Sequence, residues 1–246
     1  MTIRPDDIPH RHVFIGVSWL YLASSAFLLG LAALVTWVGG DWVGFPLAFW
    51  DVWAIPADVA GGLTRVLPLF VWGVVLTVAL GLILIARRAP RDARPSTVFI
   101  RGTWLSLNAG FFEEIIFRWL LLLIAPAVLT VLNFITFGLV KWFYLKVLIP
   151  VADWITLGLL EPQLTAANWL LGAAIISVNG RFRQGHLHNG FLAGLNAWFI
   201  GMLMFYLLFN HGIWAAIVAH ILYDLCVFWT ASVMTTFQPR YPRYWL

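Results

Sequence analysis

FFEEIIFRWLL, residues 111–121, sets Glu113, Glu114 and Arg118 in a run otherwise made of Phe, Ile, Trp and Leu. Its meaning depends on the solvent, and composition identifies the solvent. Of 246 residues, 62% are hydrophobic and 11% charged, against about 45–50% and about 25% in soluble domains. The chain reads as an all-α polytopic membrane protein. At about 20 apolar residues per crossing, its length suits a bundle of about eight transmembrane helices around a buried polar site.

The first twelve residues, MTIRPDDIPHRH, lack the apolar core and cleavage site of a secretory signal. A first span is expected over about 13–38 and a second over about 67–86. Residues 39–66 between them read as a loop with Trp50 and Trp53 at the interface. The stretch RRAPRDARPSTVFIR, 87–101, holds Arg87, Arg88, Arg91, Arg94 and Arg101, and this density of arginine assigns it to the cytoplasm. Further spans are expected at about 104–124, 127–145, 147–160, 165–180, 191–209 and 213–235. Eight crossings leave both termini cytoplasmic. They also put Lys141, Lys146, Arg181, Arg183, Arg240 and Arg243 with the arginine loop, and Asp41, Asp51, Asp58, Glu161 and Arg65 opposite. No repeat of 20–50 residues interrupts this order. The chain divides into a two-span region, 1–100, a helical core, 101–236, and a basic tail, 237–246.

A charge inside the bilayer costs several kcal/mol, so an intramembrane ionisable group is a functional candidate by default. Glu114 and Arg118 are i and i+4 with the acid first, the favourable order for an ion pair. Glu113, about 100° further round the helix, has no such partner and suits a proton acceptor. His186 ends FRQGH, and His188 follows on the opposite face. His220 and Asp224 share a face one turn apart in HILYD, where they can pair or form part of a site. The single cysteine, Cys226, excludes an intrachain disulfide and a multi-thiolate metal site. No HExxH, nucleophile elbow or phosphate loop is present, and a few loop arginines give no case for nucleic-acid binding.

In order, Glu113-Glu114-Ile-Ile-Phe-Arg118, Phe182-Arg-Gln-Gly-His186 and His220-Ile-Leu-Tyr-Asp224 match EExxxR, FxxxH and HxxxN/D. Over about residues 100–235 the chain resembles the CPBP (Abi) family, the type II CAAX prenyl endopeptidases and their bacterial relatives. The resemblance implies an intramembrane protease in a prokaryotic cell membrane, with a membrane-embedded or lipidated peptide as substrate and membrane lipids as surroundings. It implies that Glu113 and His186 activate water, that Arg118 holds Glu114, and that His220 and Asp224 steady the oxyanion. A zinc ion on Glu113, His186 and His220, and a metal-free glutamate mechanism, are both open on this resemblance. The chain departs from the family pattern in the arginines of NGRFRQG and in Asp224, where many members have Asn. An ionised Asp cannot donate to an oxyanion, so Asp224 acts as a neutral donor, as an orienter of His220 or as a metal ligand. Two rival classes share these residues: a proton-coupled transporter, and a catalytically silent scaffold or immunity protein.

Overall fold

Pro95 opens the longest uninterrupted run of helix, at a position where a missing N–H costs nothing. The computed structural model describes residues 58–88, 93–156, 158 and 160–239, with isolated helical positions at 23, 24, 26, 27, 30 and 34. The expected first span, Trp50 and Trp53, Arg91, and the tail with Arg240 and Arg243 fall outside these, apart from the isolated positions.

Among the described residues the structure is all-helical. Helix α1, Val59–Arg65, lies in the expected loop, and Asp58 caps it by accepting from the Gly61 N–H at 2.8 Å. Then come α2, Leu67–Ala86, and α3, Pro95–Glu113. A π-helical segment, Glu114–Leu120, leads into α4, Leu121–Ile135. Short pieces follow: α5, Leu139–Phe143, a π turn at Tyr144–Leu148 and α6, Ile149–Thr156. Helix α7 is Trp169–His186, and α8 is Phe191–Thr236. Gly212, at φ 77° and ψ 170°, divides α8 into two arms. Among the described residues, three helical runs are long and apolar enough to cross a membrane: Leu67–Ala86, Pro95–Ile135 and Phe191–Thr236.

Two expectations change. Separate spans were expected at about 104–124 and 127–145, but the chain stays helical from Pro95 to Ile135, 41 residues. In lipid every backbone polar group needs an internal partner, so a proline is absorbed within the helix rather than ending it. The break comes at Gly138, whose φ of 89° only glycine adopts without strain. Over the expected span 147–160 the described helix is only Ile149–Thr156, which is not among those three runs. Tyr144 and Gln163 both pack against Gly172, so the chain between them leaves and returns at one level.

The second arm of α8 organises the bundle. It runs antiparallel to α3, with Ser232 Oγ donating to the Pro95 carbonyl at 2.7 Å and Trp229 Nε1 to Thr103 Oγ1 at 2.9 Å. It runs parallel to α2, with Tyr223 against Gly73 and Met234 against Gly81. Helix α7 lies antiparallel to the first arm, where Asn179 Nδ2 donates to the Trp198 carbonyl at 2.9 Å. These contacts put Arg87, Pro95, His186 and Thr236 at one end of the bundle, and Asp58, Trp169 and His211 at the other. Lys141 stacks over Trp169 at 5.6 Å. It therefore lies at the end away from the arginine loop, not beside it as the sequence suggested.

At Gly110 the α3 backbone touches α8. A Cβ there would sit 2.5 Å from Ile221 Cγ1 and 3.0 Å from its backbone nitrogen. Gly110→Val is expected to separate the two helices and destabilise the protein by about 1–3 kcal/mol, seen as a lower unfolding temperature in detergent. The same change at Gly180, where a Cβ meets nothing within 4 Å, should cost much less.

Candidate active site

The site forms where the π segment meets the second arm of α8. The π turn's i→i+5 bonding widens the helix and alters the offset between successive side chains. At its start, one imidazole meets two neighbouring carboxylates. His220 Nδ1 bonds Glu114 Oε1 at 2.6 Å, and Nε2 lies 3.8 Å from Glu113 Oε2.

Glu114 and Arg118 are fully buried, and Arg118 Nε lies 3.2 Å from Glu114 Oε2. That N–H is not aimed at the oxygen, so charge rather than a directed hydrogen bond joins them. Arg118 Nη2 donates to the Gly201 carbonyl at 3.4 Å. The guanidinium lies over Phe182 at 4.3 Å, with Phe205 at 5.4 Å and Phe117 at 5.9 Å. Such cation–π contacts, desolvated, contribute about 2 kcal/mol. Glu114 thus joins Arg118 to His220; the first two are fully buried, and His220 turns its other nitrogen to the site above.

Above this layer is a cavity of about 370 Å³, lined among others by Glu113, His186, His220 and Asp224. It extends past Leu105 and Phe228, towards the arginine end. Asp224 Oδ2 lies 3.8 Å from His220 Nε2, too far for a hydrogen bond. Glu113 Oε2 is buried with no hydrogen-bond partner. His186 Nδ1 donates to the Phe182 carbonyl at 2.9 Å, which leaves Nε2 as its acceptor nitrogen. Of the six residues singled out in the sequence, four line the cavity and Glu114 and Arg118 support it. The nitrogen facing Glu113 belongs to His220, not to His186. His188, exposed and bonded to the Gly185 carbonyl, takes no part.

A zinc site on Glu113, His186 and His220 does not assemble. Among the described residues no group of three or more His, Cys, Asp or Glu has the disposition to hold a metal ion. These donors do not fit a resident metal, and no step is drawn through one.

Compared with known proteins, the chain matches no family model, no curated protein and no solved structure. The chemistry of the site is therefore argued from its own geometry.

Sequence reasoning missed three residues. Asn179, fully buried, holds the α8 backbone beside Gly201. Asn196 and Tyr223 line the cavity. The available signal was an amide inside an apolar hairpin, and, for Tyr223, its place within HILYD.

Removing the Glu114 charge leaves Arg118 buried and unpaired. Breaking a buried pair from one side costs about 3–5 kcal/mol. Glu114→Gln is expected to lower the unfolding temperature and the yield in detergent. Glu114→Gln/Arg118→Leu should recover part of that loss, because it removes the stranded cation. A Glu114→Gln protein as stable as wild type would contradict the pairing.

Proposed function

We propose that the protein is an intramembrane endopeptidase that hydrolyses a peptide bond in a membrane-embedded or lipid-anchored substrate. The observation that carries this is the pairing of Glu113 Oε2, buried and without a hydrogen bond, with His220 Nε2 at 3.8 Å on one cavity wall. That spacing is too long for a direct bond. It suits one water bonded to both at about 2.8 Å, the ordinary length of such contacts.

In this reading Glu113 takes a proton from the water as its oxygen bonds to the scissile carbonyl carbon. The carbonyl electron pair moves onto oxygen. His220, as the imidazolium held by Glu114, donates from Nε2 to that oxyanion. Glu113 then passes its proton to the amide nitrogen as the C–N bond breaks, releasing an amine and a carboxylic acid. Asp224 flanks Nε2 and orients the ring, and His186 offers Nε2 to the second hydrogen of the water. The polar groups gather at one level of the bundle instead of being strung along it, which favours a reaction centre over a proton relay.

The same reading orients the protein. The arginine end faces the cytoplasm. The chain crosses six times rather than eight, counting the expected span at 13–38, because residues 136–168 stay at the far end. Both termini remain cytoplasmic. In a Cys226→Ala background, a cysteine at position 94 should react with a membrane-impermeant maleimide only after the membrane is opened. Labelling in intact cells would reverse the orientation.

Glu113→Gln keeps the shape and removes the base. With the purified protein in proteoliposomes, and a farnesylated quenched-fluorescence peptide or an unlipidated transmembrane peptide as reporter, it should lose about 10²–10⁴-fold in kcat. Its unfolding temperature should stay close to wild type, unlike that of Glu114→Gln. Full cleavage by Glu113→Gln of a reporter that wild type cleaves would remove Glu113 from the chemistry and with it this proposal.

A further inference from the structure

The cavity is rich in acceptors. Glu113 and Asp224 present carboxylates, and His186 has committed its Nδ1–H to the Phe182 carbonyl. His220 Nε2 lies between two carboxylates, each 3.8 Å away. A reaction that builds negative charge on a carbonyl oxygen needs donors aimed into this space. Beyond His220, the lining residues that carry a donor group include Asn196 and Tyr223.

Trp72, Asn196 and Tyr223 form a chain. Trp72 Nε1 donates to Asn196 Oδ1 at 3.3 Å, and Asn196 Nδ2 donates to the Tyr223 hydroxyl oxygen at 2.9 Å. The direction follows from the chemistry. An indole N–H can only donate, so the amide must turn its oxygen to Trp72 and its nitrogen to Tyr223. The phenol oxygen is then an acceptor, and its own hydrogen is not used by this chain. Tyr223 is 4% exposed, and the cavity it lines is the open space beside it. Gly73, next to Trp72, lets the α2 backbone lie against the ring, since a Cβ there would fall 2.6 Å from Tyr223 Cε2 and 3.1 Å from its hydroxyl. Two consecutive residues of α2 thus fix the phenol, one through hydrogen bonds and one by packing.

We infer that Tyr223 donates its hydroxyl hydrogen to the oxyanion formed on the substrate carbonyl, as a second catalytic donor beside His220, and that Asn196 and Trp72 are positioning residues for it. This rests on the proteolytic reading above. The step is a hydrogen bond that strengthens as charge develops; Tyr223 keeps its proton, and Glu113 remains the base.

Tyr223→Phe keeps the ring against Gly73 and deletes only the donor. With the reporter that wild type cleaves, kcat should fall about 10²–10³-fold, as on loss of one oxyanion donor. KM should change less than about twofold, because the contact belongs to the transition state. A phosphinate analogue of the reporter carries an anionic tetrahedral oxygen, and its inhibition should weaken in parallel. Trp72→Phe should lower kcat by about tenfold in the wild-type background and add nothing in the Tyr223→Phe background, since it acts through the hydroxyl. A merely structural Trp72 would cost the same in both. Unchanged kcat in Tyr223→Phe, with Glu113→Gln inactive, overturns this inference and leaves the proteolytic reading standing. Full activity in Glu113→Gln overturns both. If wild type cleaves neither reporter, the phosphinate decides, and equal binding by wild type and Tyr223→Phe counts against the tyrosine.

Discussion

One carboxylate, Glu114, holds the centre of this protein together. It lies fully buried between the Arg118 guanidinium on its own helix and the His220 imidazole on α8. A charge without water must be paired and hydrogen-bonded, or it neutralises or unfolds its surroundings. Here the pairing spans two helices and fixes their relative height and rotation. Once His220 is held through Nδ1, its other nitrogen is set opposite Glu113 and Asp224. The aromatic box of Phe117, Phe182 and Phe205 keeps the arginine dry. The cavity is then what remains above a closed polar layer.

The residue types at this centre were legible because lipid makes them conspicuous. Glu113, Glu114, Arg118, His220 and Asp224 stand out from an apolar background, and the i, i+4 spacing of Glu114 and Arg118 announced the ion pair. What could not be read was which groups meet across helices. That His220 reaches Glu114 depends on the level at which α8 packs on α3. Such levels are set by contacts such as Ser232 on Pro95 and Ile221 on Gly110, which have no signature in a single sequence. The π turn at Glu114–Leu120 likewise has no signature in the sequence.

Helix boundaries were the weaker part of the sequence reading. The expected spans 104–124 and 127–145 part at about Pro126, yet the helix runs through it, as apolar surroundings allow when the freed backbone group finds a partner nearby. The informative residue was Gly138. The boundary drawn near residue 100 separated α2 from the core, yet Trp72 and Gly73 of α2 contact residues lining the cavity.

The helix from Pro95 to Ile135 has a mechanical consequence. Its 41 residues measure about 61 Å at 1.5 Å per residue, roughly twice the hydrocarbon thickness of a bilayer. A tilt of about 40°, the upper end of what membrane helices adopt, still leaves about 47 Å along the normal. The far end, with exposed Phe134, Ile135, Phe137 and Trp142, must therefore stand in the headgroup layer or raise the lipid around it. Hydrophobic mismatch of this size deforms the membrane and favours thicker regions of it. Lipid chain length thereby becomes a variable in how a helix of this length can be seated in a bilayer.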